Sequence, residues 1–210
     1  MASQRELAAL RRRTVIDFAR RHQKPGTGSR PWNRGAEYLI DWPDLRPVLG
    51  DIPWAVVGAV ATRLYMPERA TTDIDIAILT GDSSKASERL LASGYKPVTS
   101  LSIGGSNWLS PAGREVDVLE LDEPWASRAL EDARNNRDAD GLPVVPFQYL
   151  ILMKMRASRG RDIGDVTHML AYANDEQLEE TRQLIATWQP DLSEDLESFI
   201  TMGKLEQQQQ

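Results

Sequence analysis

VVGAVATRLYMPERATTDIDIAIL, residues 56–79, decides how this chain is read. It belongs to a short apolar run, residues 54–59, that reaches a glycine turn at Gly58. VATRLYM then reads as the start of a helix, and a polar, basic loop leads into DIDIAIL. In a strand, residues i and i+2 share a face. Ile74, Ile76 and Ile78 therefore point one way, into a core, and Asp73 and Asp75 point the other way. Two carboxylates side by side repel each other, and a divalent cation offsets that repulsion well.

EVDVLEL, residues 115–121, has the same alternation, with Val116 and Val118 on one face and Glu115 and Asp117 on the other. If it pairs beside DIDIAIL, Asp117 approaches Asp73 and Asp75. Three carboxylates around one point form a site for one or two Mg2+ ions, or Mn2+ in their place. For DID taken alone, an edge strand with solvated acids is the better account.

Composition narrows the chemistry. Residues of the hydrophobic classes make up 41% of the 210, enough for a real core in one domain, or in one domain with an appendage. There is no cysteine, which excludes disulfides and thiolate metal sites and fits a reducing cytoplasm, the expected location. His22 and His168 are the only histidines, so a metal here is expected on oxygen ligands. No apolar run approaches the ~18 residues of a membrane span, and no signal-peptide pattern opens the chain. The formal charge of -6 is not the overall signature of a nucleic-acid binder. Yet arginines cluster at Arg11, Arg12, Arg13, Arg20 and Arg21, and again at Arg156, Arg159 and Arg161. Such clusters are either solvated helix faces or phosphate contacts.

Residues 3–22 read as a charged helix, and KPGTGSRPWNRG, residues 24–35, breaks regular structure. WPDLRPVLG suggests a short helix, and SSKASERLLASG a helix stopped by Gly94. YKPVTSLSI and NWLS read as strands, and residues 124–136 as a helix. From Pro146 the pattern is almost all helical, through PFQYLILMKMRAS, RDIGDVTHMLAYA, DEQLEETRQLIATW and DLSEDLESFITM. KLEQQQQ reads as a low-complexity tail. The expected divisions are an N-terminal helix and loop (1–35), an α/β core (36–140), a helical segment (141–203) and the tail (204–210).

The order of strand, glycine turn, helix, basic loop and Asp-x-Asp strand resembles the nucleotidyltransferase superfamily of the DNA-polymerase-β type. Within it the stretch looks most like the AbiEii, or minimal nucleotidyltransferase, branch. The resemblance covers about residues 52–80, 114–121 and 149–170. It implies an α+β fold, with a small mixed β-sheet flanked by helices and a helical C-terminal segment. It also implies an enzyme that moves a nucleoside monophosphate from a nucleoside triphosphate to an acceptor hydroxyl.

By the same resemblance, Asp73 and Asp75 match the metal-binding pair, and Asp117 the third carboxylate, near the attacking hydroxyl. Gly58 and Ala59 stand where the family has a Gly-Ser or Gly-Gly turn against the triphosphate; Ala59 lacks the serine hydroxyl. Arg69 and Thr71 match an Arg-x-Thr ahead of the acids, with a salt bridge to Glu68 as the plain alternative for Arg69. Lys154 matches a lysine facing the nucleotide, and it interrupts the apolar run YLILMKM. Asp162 and Asp165 match the acidic pair that follows, although helix capping and salt bridges explain them equally well.

The acceptor implied first is RNA, most plausibly a tRNA end, with the protein as a toxin paired with an antitoxin protein. The alternatives are a small molecule of the aminoglycoside type, a protein side chain, or a catalytically silent nucleotide-binding module.

Overall fold

The computed structural model describes Arg13, residues 42–67, Thr71 and residues 73–208. Apart from Arg13, the expected helix at 3–22 lies outside the described residues, as do the break at 24–35 and Arg69. The chain divides into two compact units, one of Arg34–Pro146 and one that includes Phe147–Gln210.

The first unit is built on a five-stranded mixed sheet. Its strands are β1 (Trp54–Val57), β2 (Asp73–Leu79), β3 (Lys96–Ser100), β4 (Gly105–Leu109) and β5 (Glu115–Leu121), in the spatial order β1-β2-β5-β4-β3. The pair β2 and β5 is parallel and the other neighbours are antiparallel. A parallel pair needs a long crossover. Here it consists of a helix, Ser83–Ala92, and the β3–β4 hairpin. The alternation read in DIDIAIL and EVDVLEL holds: Ile74, Ile76, Ile78, Val116 and Val118 are all buried. That burial fixes the register, because a one-residue slip would turn every isoleucine to the acidic face.

The two sheet edges are managed differently. β1 is buried at every position. Val56 N–H donates to Pro143 O at 2.7 Å, and Val145 N–H donates to Val56 O at 3.0 Å, so the 143–145 segment covers the edge of β1. At the other end β3 is exposed throughout, with Pro97 within it and a register shift between Pro97 and Thr99. Proline and irregular register both discourage pairing with another chain.

Among the described residues, four α-helices complete this unit: α1 (Arg46–Leu49), α2 (Gly58–Thr62), α3 (Ser83–Ala92) and α4 (Ala126–Ala133). α2 is shorter than VATRLYM suggests. After Thr62 the bonds tighten to i→i−3, from Arg63 N–H to Val60 O and from Leu64 N–H to Ala61 O. Tyr65 then anchors the chain. Its hydroxyl donates to Val145 O at 2.9 Å and accepts from Asn136 Nδ2 at 2.6 Å. Burial pushes the Tyr65 hydroxyl up to about 12, against a smaller lowering by the Asn136 bond.

From Phe147 on, the described residues of the second unit form four helices: α5 (Phe147–Ala157), α6 (Gly160–Tyr172), α7 (Asp175–Trp188) and α8 (Ser193–Gln207). Apolar residues at helical spacing form its core, including Leu150, Ile151, Ile163, Val166, Leu170, Leu178, Ile185, Leu196 and Phe199. A capping box starts α7: Asn174 Oδ1 accepts from Gln177 N–H, and Gln177 Oε1 accepts from Asn174 N–H. α8 packs closely on α6, since a Cβ on Gly203 would come within 2.6 Å of Thr167 O. The helix runs through Lys204–Gln207, into the segment read as a tail. Lys, Leu, Glu and Gln all propagate a helix at little cost, so nothing in KLEQ stops it. Among the described residues, no helix is long and apolar enough to cross a membrane.

Candidate metal centre

β2 and β5 place Asp75 directly opposite Asp117, with Asp73 opposite Glu115. The row continues to both sides, from Val57 on β1 to Asn107 on β4. Because paired residues share a face, the carboxylates stand on one side of the sheet and Ile74, Ile76, Ile78, Val116 and Val118 on the other. Asp73, Asp75 and Asp117 each offer one carboxylate oxygen, and these lie within 4.8 Å of one another. All three are half-buried. Among the described residues no other group of three acids or histidines comes together in this way.

Neighbouring groups dress the cluster. Thr71 Oγ1 donates to Asp73 Oδ1 at 2.8 Å. Asn107 Nδ2 donates to Asp117 Oδ1. Gly58 has φ +63 and lies so close to Asp75 that an added Cβ would overlap Asp75 Oδ2. Ala59 follows it in the first turn of α2.

The donor set suits a hard cation. It supplies three carboxylates and neither sulfur nor imidazole, as Mg2+ or Mn2+ prefers. Bringing three anions within 4.8 Å is unfavourable in their absence, and the two hydrogen bonds described here come from neutral donors.

The structure thus joins Asp73, Asp75, Asp117, Gly58 and Thr71 in the first unit. Lys154 lies in the second unit, where it is 4% exposed. Its Nζ is 2.8 Å from Asp165 Oδ2 and 3.5 Å from Asp162 Oδ1. Asp162 also accepts from Arg159 Nε at 2.6 Å. The i,i+3 spacing of Asp162 and Asp165 gives both acids the same helix face, and that face meets Lys154. Ser158, between α5 and α6, has φ +48 and is 1% exposed. His168 is exposed, with its ring 5.8 Å from that of Tyr172.

Asn107 escaped the sequence reading. The only sign of it is a poor strand former in the middle of GSNWL. Its importance depends on register, which pairs it with Asp117.

No family model matches the chain, and no curated protein matches it. Among solved structures it is similar to the antibiotic-resistance factor ANT(2'')-Ia in solution. That alignment has 11% identity, covers 94% of this chain and 91% of that chain, and has a TM-score of 0.42. It is also similar to ANT(2'')-Ia in a crystal structure with adenylyl-2''-tobramycin. There the identity is 14%, the coverage 74% of this chain and 89% of that chain, and the TM-score 0.40.

Proposed function

We propose that the chain is a metal-dependent nucleotidyltransferase, which moves a nucleoside monophosphate from a nucleoside triphosphate to an acceptor hydroxyl and releases pyrophosphate. The observation that carries this reading is the cluster of three half-buried carboxylate oxygens within 4.8 Å, on the sheet face opposite Ile74, Ile76, Ile78, Val116 and Val118. Gly58 packs against the Asp75 carboxylate, which ties the glycine turn to the cluster.

In this reading Asp73, Asp75 and Asp117 would hold Mg2+ or Mn2+, which when bound supplies charge stabilisation at the α-phosphate and the leaving group. Asp117 also orients the acceptor hydroxyl and takes its proton. The backbone of Gly58 and Ala59 seats the triphosphate, Thr71 holds Asp73, and Arg69, two residues earlier in the sequence, supplies positive charge for phosphate.

For the acceptor, a small cationic polyhydroxyl compound of the aminoglycoside type is the better reading. The chain carries a formal charge of -6, which favours a cationic substrate over a polyanion. The second reading is an RNA end, with the protein as the toxin of a toxin–antitoxin pair. It draws on Arg156 and Arg161, both exposed around the start of α6, because guanidinium groups suit phosphate.

Label transfer tests both. Pure protein is incubated with each α-labelled nucleoside triphosphate, Mg2+ or Mn2+, and an aminoglycoside panel, total tRNA or no acceptor, beside Asp75→Ala. Label on a small molecule, lost in the variant, supports the first reading; label on RNA supports the second. Label on the protein itself moves the activity to protein modification. No transfer by the wild type overturns the enzyme and leaves a silent nucleotide-binding module.

A further inference from the structure

Asn107 is an odd choice for its place. It is 1% exposed in the middle of β4, and strand interiors disfavour asparagine. A buried amide costs free energy unless it is hydrogen-bonded. Its Nδ2 donates to Asp117 Oδ1, a carboxylate of the cluster. Thr71 does the equivalent from the other side, where the chain enters β2, by donating to Asp73 Oδ1 at 2.8 Å. Two of the three carboxylates are therefore held by neutral donors on separate segments. The third, Asp75, is confined by the backbone of Gly58.

We propose that Asn107 and Thr71 are positioning residues of the metal centre, which make Asp117 and Asp73 present one oxygen each and so favour Mg2+ or Mn2+ over Ca2+. The proposal rests on reading the three aspartates as a metal centre. Ca2+ takes about six to eight oxygens at roughly 2.3–2.6 Å and commonly uses both oxygens of a carboxylate. Mg2+ needs about six at roughly 2.0–2.1 Å in a regular octahedron. A carboxylate whose Oδ1 accepts a fixed hydrogen bond is held in one orientation with one lone pair of that oxygen already used, which disfavours two-oxygen chelation. Three single oxygens leave the other octahedral positions to water and phosphate oxygens. Neither donor carries charge, so neither competes with the cation for the site.

The test is metal binding, read without any acceptor or turnover. Free Mn2+ is followed by electron paramagnetic resonance, with Ca2+ as competitor, on the full chain and on Asp75→Asn, Asn107→Leu, Thr71→Val and Thr71→Ser. Thermal unfolding without metal accompanies each variant. The expected result is Mn2+ binding by the wild type that Asp75→Asn abolishes. Asn107→Leu and Thr71→Val then bind Mn2+ about tenfold more weakly, as is usual when a partner of a ligand is removed. In both, Ca2+ competes better by a similar factor, while Thr71→Ser, which keeps the hydroxyl, stays close to wild type. If Asn107→Leu does not fold, the two threonine variants decide the question. Unchanged Mn2+ affinity and Ca2+ competition in the folded variants overturn the positioning role and leave the metal centre standing. A wild type that binds no Mn2+, or an Asp75→Asn that binds it equally well, overturns the metal centre and this role with it.

Discussion

Gly58 is seated against the carboxylate of Asp75. A Cβ added at Gly58 would overlap Asp75 Oδ2 and lie 2.8 Å from the Cβ of Asp75. Gly58 also has φ +63, a conformation that costs other residues about 1–2 kcal/mol. The turn that ends β1 and the acid at the centre of the row on β2 are therefore one unit of structure. Either one can change only if the other moves.

Gly58→Ala is accordingly expected to displace Asp75. Metal affinity should fall at least tenfold, about the cost of disturbing a ligand's support. The fold should lose about 1–2 kcal/mol from the strained turn. Mn2+ titration and urea denaturation measure the two effects separately. Wild-type affinity in the variant would show that the contact leaves Asp75 free to adjust.

Three carboxylate oxygens within 4.8 Å repel each other when no cation is present. Asp75→Asn keeps the shape and removes one charge. Without metal the variant should be more stable than wild type by about 1–2 kcal/mol, a part of the Coulomb term for half-exposed groups. Adding Mg2+ or Mn2+ should raise the wild-type melting temperature and leave that of Asp75→Asn in place. A variant that melts below wild type in chelator would mean that the three acids are not under mutual strain.

Much of the architecture was readable because alternation survives folding. DIDIAIL and EVDVLEL form β2 and β5 over those same residues, and their opposite faces carry core and carboxylates as expected. What could not be read depends on contacts between distant segments. The 143–145 segment covers the edge of β1, yet its sequence carries no sign of a partner about 90 residues away. Asn107 gains its role from a register that only the folded hairpin sets. Lys154 looked out of place in an apolar helix. Its reason lies in Asp162 and Asp165 on the next helix, joined through a residue with positive φ.

Lys154 and its two acids form a buried charged cluster, in which each of the three residues is no more than 6% exposed. Removing one partner from such a cluster leaves charge buried without compensation, at a cost of about 3–5 kcal/mol. Lys154→Met should therefore destabilise the chain by that amount in urea denaturation. Lys154→Met combined with Asp165→Leu should recover part of the loss, because it removes one of the stranded carboxylates. A single variant within 1 kcal/mol of wild type would show that the aspartates are stabilised mainly by Arg159 and by the start of α6.

Ser158 carries two costs at once. Its φ is +48, and its buried Oγ has no hydrogen-bond partner among the described residues. Ser158→Gly removes both the strain and the orphaned hydroxyl. The expected gain is about 1 kcal/mol, or about 2–4 °C in melting temperature for a chain of this size. A lower melting temperature in the variant would mean that an internal water or a ligand satisfies the hydroxyl.

Tyr65 makes the alkaline limb of the stability curve testable. Burial raises its folded-state value to about 12, above the ~10 of an unfolded tyrosine. Between those values the unfolded chain releases its proton first, so stability falls as pH rises. The contribution is whole below about pH 10 and is lost by about pH 12; two units correspond to about 2–3 kcal/mol. Tyr65→Phe loses the bond to Val145 O and the acceptor for Asn136, and so should be about 1–2 kcal/mol less stable at pH 7. The difference should shrink as pH rises, and the two denaturation curves should meet near pH 11–12. A constant gap across that range would mean that the folded hydroxyl ionises no less readily than the unfolded one.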